Sequence, residues 1–207
     1  MRSTAFAAIT AMACTIAGCG AEPPAPQPPP PPPVPAASVA VAPTASTPPP
    51  APKPSLDELI PQTLKGIGAA FNAHDAKKVA SYYTEDAVVS AYGSPDSHGR
   101  DDLAAAMDSI FKSFSDAKSA PLRAWAKGNV VVAETVWVGT MTSDFMGHKA
   151  TEKPVGQLRA NVLWFNDDGL VKEMHEYGDS VGLMAQIEGK KNAPPVPVLP
   201  ANLPEVH

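Results

Sequence analysis

Cysteine is almost missing from this chain. Of 207 residues only Cys14 and Cys19 carry a thiol, and both sit near the N-terminus. A domain built from the remainder has no disulfide, no thiol nucleophile and no cysteine-based metal site. Positive charge is also short: the formal net charge is -5, and Lys and Arg are scattered without aromatic interleaving. Nucleic acid is excluded as a partner on that ground. There is no Gly-x-Ser-x-Gly elbow, no glycine-rich phosphate loop and no paired-histidine metalloprotease motif. No cofactor and no metal is implied. The apolar N-terminal run, residues 5–16, is too short to span a bilayer.

That short run has a purpose of its own. Arg2 precedes it and the small residues of Ile16-Ala17-Gly18-Cys19 close it, the layout of a cleavable export signal. The closing tetrad resembles the lipobox of bacterial lipoproteins. The resemblance implies removal of residues 1–18, lipidation of Cys19 and attachment to a membrane without a transmembrane helix. Several acyl chains together anchor stably, at about 0.8 kcal/mol per buried methylene. Gly20, rather than an aspartate, after the cysteine implies the outer membrane of the bacterial envelope.

Proline then marks the domain boundaries. Residues 19–54 are nearly all Pro, Ala, Val, Ser and Thr, with an unbroken proline run at 28–33. Such a stretch lacks the apolar bulk to offset ordering and favours polyproline II, reaching roughly 100 Å when extended. It reads as a disordered tether. Residues 190–207 have a similar bias and are expected to form a disordered tail. One domain of ordinary size remains, residues 55–189.

Within it, Ser55-Leu56-Asp57-Glu58 has capping-box spacing, and Ile60, Leu64, Ile67 and Phe71 fall on one helical face. Pro61 fits only if it lies in the first turn. Asp75 caps a short second helix through Val79 and Tyr83, residues 87–92 have strand composition, and a third helix runs from about Asp102 to Phe114. Strands follow at 122–126 and 130–141 around Lys127-Gly128-Asn129, then at 157–165 and 170–179 around Asn166-Asp167-Asp168-Gly169. Leu183 to Ile187 closes the domain. Helices first and an antiparallel meander afterwards predict an α+β fold: N-terminal helices on a curved, mainly antiparallel sheet that cups a cavity.

The pieces Phe71-Asn72-Ala73-His74-Asp75, Tyr83-Thr84-Glu85-Asp86-Ala87, His98-Gly99-Arg100, Phe114-Ser115-Asp116, Gly139-Thr140, Phe145-Met146-Gly147 and Thr151-Glu152-Lys153-Pro154 come in a telling order. So does the stretch from Glu173 to Asp179, with Gly182 to Ile187 after it. In this order they resemble the SnoaL-like polyketide cyclases of the nuclear transport factor 2-like, cystatin-like cone fold. The resemblance covers roughly residues 64–189. It implies a small, largely apolar or polyketide-like ligand, and it leaves room for a homodimer through the sheet.

By that resemblance Asp179 matches the acid/base aspartate of the cyclases, and an apolar cavity would raise its pKa towards neutrality. The equal alternative is a strand-end aspartate capping a turn. Strand alternation puts His175, Tyr177 and Asp179 on the cavity face, unless one β-bulge inverts the parity and brings Met174 and Glu176 inward. His175 is then either a proton shuttle or a satisfied core residue. Trp137 and Trp164 are candidates to line a hydrophobic pocket, with Tyr177 and Asn161 beside the ligand, and ordinary core packing is the alternative for the tryptophans. His175 and Asp179 lie about 13 Å apart along a strand, too far to share an ion. Laid on ketosteroid isomerase, the chain has Ala91, Asn161 and Ile67 where that enzyme has its base, its protonated acid and its tyrosine, which disfavours that chemistry. The strand at 157–165 also lacks the cyclase histidine. Two readings stand: a proton-transfer cyclase or isomerase, and a non-catalytic binding or interaction module.

Overall fold

A computed structural model describes residues 53–91 and 93–201. Cys19, the segment expected to be an export signal and the proline-rich stretch up to residue 52 lie outside the described residues. Helix α1, Leu56–Asn72, opens on a reciprocal capping box in which Ser55 N–H donates to Glu58 Oε2 at 2.9 Å. Its buried stripe is Ile60, Thr63, Ala70 and Phe71. Pro61 lies in the second turn, one turn later than the sequence reading allows. The carbonyl that proline cannot serve is that of Asp57, and both residues are exposed, so that carbonyl is open to solvent.

Helix α2, Ala76–Ala80, is capped by Asp75, whose Oδ1 accepts the Lys78 N–H at 2.9 Å. It stops before Tyr82 and Tyr83 rather than running through them, because those residues are needed in the sheet: Val171 N–H donates to Tyr82 O and Tyr83 pairs with Val171. Strand β1 is Tyr83–Ala91, longer at its start than composition suggests, and β2 is Ser97–His98. Helix α3, Gly99–Ser113, starts three residues earlier than expected. Gly99 sits at φ +82°, and a Cβ there would approach Glu85 O to 2.8 Å, so only glycine fits.

The remaining strands are β3 (Lys118–Lys127), β4 (Val130–Thr140), β5 (Pro154–Phe165) and β6 (Val171–Gly178), and helix α4 is Ser180–Glu188. The sheet order is β2-β1-β6-β5-β4-β3, antiparallel throughout except that β1 and β6 run parallel. Among the described residues, four helices on a six-stranded, mostly antiparallel sheet make the α+β architecture. The core fills the inner face, with Phe114, Trp137, Met141, Val155, Phe165, Val171 and Ile187 fully or almost fully buried. Phe114 makes edge-to-face contacts with both Trp137 and Phe145.

Residues 190–201, the described part of the proline-rich tail, form no helix or strand but make contact with α4. Buried Gln186 receives the Gly156 N–H on Oε1 at 2.9 Å and donates through Nε2 to Pro194 O at 3.2 Å. The tail is thereby fastened to α4 and, through Gln186, to the start of β5.

Candidate functional site

The inner face of β5 alternates Val155, Gln157, Arg159, Asn161, Leu163 and Phe165. Three consecutive polar positions interrupt an otherwise apolar row. Across the ladder Trp137 pairs with Gln157, Thr135 with Arg159, Arg159 with Gly178 and Asn161 with Glu176. Arg159 Nη1 meets Glu176 Oε2 at 3.0 Å, with both side chains largely buried at 15% and 21% exposure. The same guanidinium lies 5.1 Å from the centre of the Trp137 ring. Asn161 Nδ2 donates to Thr135 Oγ1 at 3.1 Å. Tyr83 is buried beneath this layer, its hydroxyl 3.5 Å from Met174 Sδ. Burial, reinforced by the charge of Glu176, pushes the Tyr83 phenol well above its ordinary range, so it stays protonated.

Three groups in this layer are buried and have no hydrogen-bond partner within the protein: Trp137 Nε1, Gln157 Oε1 and Arg159 Nε. They occupy adjacent positions on β4 and β5. Leaving such groups unmatched costs about 1–3 kcal/mol each, so their clustering calls for an account.

The residues singled out from sequence separate into three places. Trp137 and Asn161 belong to this inner layer. Trp164, His175 and Tyr177 lie on the opposite, outer face, where Trp164 and His175 rings meet edge to face at 5.1 Å and His175 Nε2 contacts Glu173 Oε1 at 2.9 Å. Trp164 faces outward by plain alternation on β5, whose odd-numbered residues face in. For His175 and Tyr177 the physical reason is a bulge at Lys172: Phe165 pairs with Val171 but Trp164 pairs with Glu173, which inserts one residue and inverts the parity of β6. Met174 and Glu176 therefore face inward. Asp179 sits in the third place, exposed, as the N-cap of α4, with Oδ1 accepting the Gly182 N–H at 2.8 Å.

Glu176 takes the inward place expected of it if a bulge inverts β6, whereas Arg159, Gln157, Thr135 and Tyr83 are not among the residues singled out from sequence. The polar triplet at 157, 159 and 161, flanked by Val155 and Leu163 at the same parity, is the signal that marks them. Among the described residues no cluster of three or more His, Cys, Asp or Glu side chains is placed to hold a metal ion. A concavity of about 300 Å³ opens between α1 and the β3–β4 end of the sheet, lined by Leu56, Ile60, Leu64, Ala124 and Val131. Val131 and Trp137 are about 20 Å apart along β4, so this opening lies away from the Trp137–Gln157 end of the polar layer.

Helices over one face of a sheet with this strand order, and a polar layer set into that face, define the cone fold that hosts enzymes and binding proteins alike. The chain belongs to the SnoaL-like polyketide cyclase family, whose profile matches residues 62–187. Solved structures share the fold. AclR from Streptomyces galilaeus, described as a candidate hydroxylase, is 21% identical with a TM-score of 0.57, covering 65% of this chain and 98% of its own. A protein from Xanthomonas campestris described as a candidate polyketide cyclase is 19% identical with a TM-score of 0.58, covering 64% of this chain and 99% of its own. IdmH from Streptomyces antibioticus, also described as a candidate polyketide cyclase, is 24% identical with a TM-score of 0.53, covering 61% and 96%. No curated protein matches the chain.

Proposed function

We propose that this domain binds a small, largely apolar molecule against the inner face of its sheet, and that Cys19 carries the lipid that holds it in the bacterial envelope. The observation that carries the binding reading is the cluster of unmatched polar atoms on Trp137, Gln157 and Arg159. Because all three are shielded, admitting a ligand requires the covering side chains to part. The cyclase descriptions of two structural neighbours support a polyketide-like ligand.

Binding without turnover is the better-supported form of this reading. An acid/base role through Asp179 competes with its use as an exposed helix cap. A copy-to-copy contact through the outer sheet face completes the proposal, since Trp125, Val132, Leu158 and Tyr177 all expose apolar surface there.

The test is purification of the full-length protein from its own membranes, followed by native mass spectrometry and solvent extraction. A small molecule should leave with the protein and be lost in Arg159→Leu. Globomycin or Cys19→Ala should yield unprocessed precursor. Soluble, unlipidated protein would remove the anchor, and ligand retention in the Arg159 variant would move the site elsewhere.

A further inference from the structure

We infer that the group recognised by this inner face is a neutral carbonyl with a neighbouring hydroxyl, and not a carboxylate; this rests on the binding reading above. The unmatched atoms specify it. Trp137 Nε1–H and Arg159 Nε–H are donors only, and Gln157 Oε1 is an acceptor only. Trp137 and Arg159 are neighbours across the β4–β5 ladder, with the guanidinium 5.1 Å from the indole centre, so one oxygen with two lone pairs is the smallest group that would serve both donors. The acceptor beside them needs an O–H or N–H from the same ligand.

Charge excludes the carboxylate. The positive charge of Arg159 is already met by Glu176 at 3.0 Å. Tyr83 adds none, being held protonated by burial. A ligand carboxylate would set a second negative charge next to Glu176 in a poorly solvated layer, where like charges repel strongly.

The three side chains are also held in place. The Trp137 ring is fixed edge to face against Phe114 on one side and by the Arg159 guanidinium on another. Gln157 is confined by β6, since a Cβ at Gly178 would stand only 2.7 Å from Gln157 Oε1. Preorganised donors and acceptors of this kind discriminate by headgroup rather than by bulk.

Isothermal titration of the purified protein with four diphenyl probes tests this: benzoin (hydroxy ketone), deoxybenzoin (ketone alone), bibenzyl (neither) and benzilate (hydroxy carboxylate). Benzoin should bind tightest, with each lost hydrogen bond costing roughly threefold to tenfold in affinity. Trp137→Phe should weaken benzoin and deoxybenzoin while leaving bibenzyl unchanged. Glu176→Gln, which frees the charge of Arg159, should shift preference towards benzilate, with circular dichroism showing that each variant is folded. Equal binding of all four probes, or benzilate preferred by the unsubstituted protein, would overturn the headgroup inference and leave the apolar binding reading standing. Failure of every probe, bibenzyl included, would overturn that reading as well.

Discussion

Asp179 Oδ1 accepts the backbone N–H of Gly182 at 2.8 Å, closing the first turn of α4. An exposed carboxylate so used contributes through the helix terminus, as the partner of a donor the helix cannot satisfy itself. Asp179→Ala should therefore lower stability by about 1 kcal/mol, whereas Asp179→Asn, an equally good cap, should melt close to the parent. Probe affinity should be the same in both. Loss of affinity in Asp179→Asn without a change in melting would return this residue to the site.

Gln186 joins β5, α4 and the C-terminal segment through one buried amide. A chain ending at Gly189 should lose on the order of 1 kcal/mol in urea denaturation, since Gln186 Nε2 forfeits the Pro194 carbonyl. Gln186→Leu should cost more, because the buried Gly156 N–H is then also unmatched. An unchanged midpoint after truncation would show that the segment contributes no net stability.

The outer face places Trp125 on β3 opposite Val132 on β4, with Leu158 and Tyr177 on the next two strands. If two copies meet there, Leu158→Glu should shift the sedimentation profile towards monomer without altering circular dichroism. A monomeric parent protein at high concentration would rule this contact out.

Asp116 is tied to Thr140 by both the backbone N–H, at 2.6 Å, and the hydroxyl, at 2.7 Å. Burial pushes its carboxyl upward, but the two Thr140 hydrogen bonds, its own backbone N–H and, last, the nearby His74 outweigh it, and the net shift is downward. A depressed folded value means that the contribution is present above the ordinary carboxylate range and is lost as pH falls through the lower folded value. Asp116→Asn should therefore be less stable than the parent at neutral pH, and the difference should shrink under acid conditions. A difference that stays constant across that range would assign it to shape rather than charge.

Much of the fold is legible because its signals are local. Ser55 and Asp75 announce helix starts, Lys127-Gly128-Asn129 joins β3 to β4, and the Asn166 side chain accepts from both Asp168 and Leu170 to make the β5–β6 turn. The site is less legible because its decisive feature is not local. Whether Lys172 is accommodated as a bulge depends on how β6 registers against β5, and that one residue sends His175 and Tyr177 outward and Glu176 inward. Asn161 and Trp137 escape this uncertainty, since β4 and β5 pair without a shift from Val130 to Thr140. Pro61 shows a different gap: proline's cost depends on whether water can reach the orphaned carbonyl, which a residue string does not state.

The parallel pairing of β1 with β6 bears on how the chain reaches this structure. Val88 and Glu173 are neighbours in space, yet they lie 85 residues apart in sequence. The first strand made therefore waits for the last one, with only the two-residue β2 beside it in the meantime. Closing so long a loop is entropically expensive and slow, which places this domain among the slower small folds and keeps it unfinished while any part of β6 is withheld. A chain of this topology cannot lock its sheet during synthesis or passage through a narrow pore; the fold completes only after its C-terminal strand arrives.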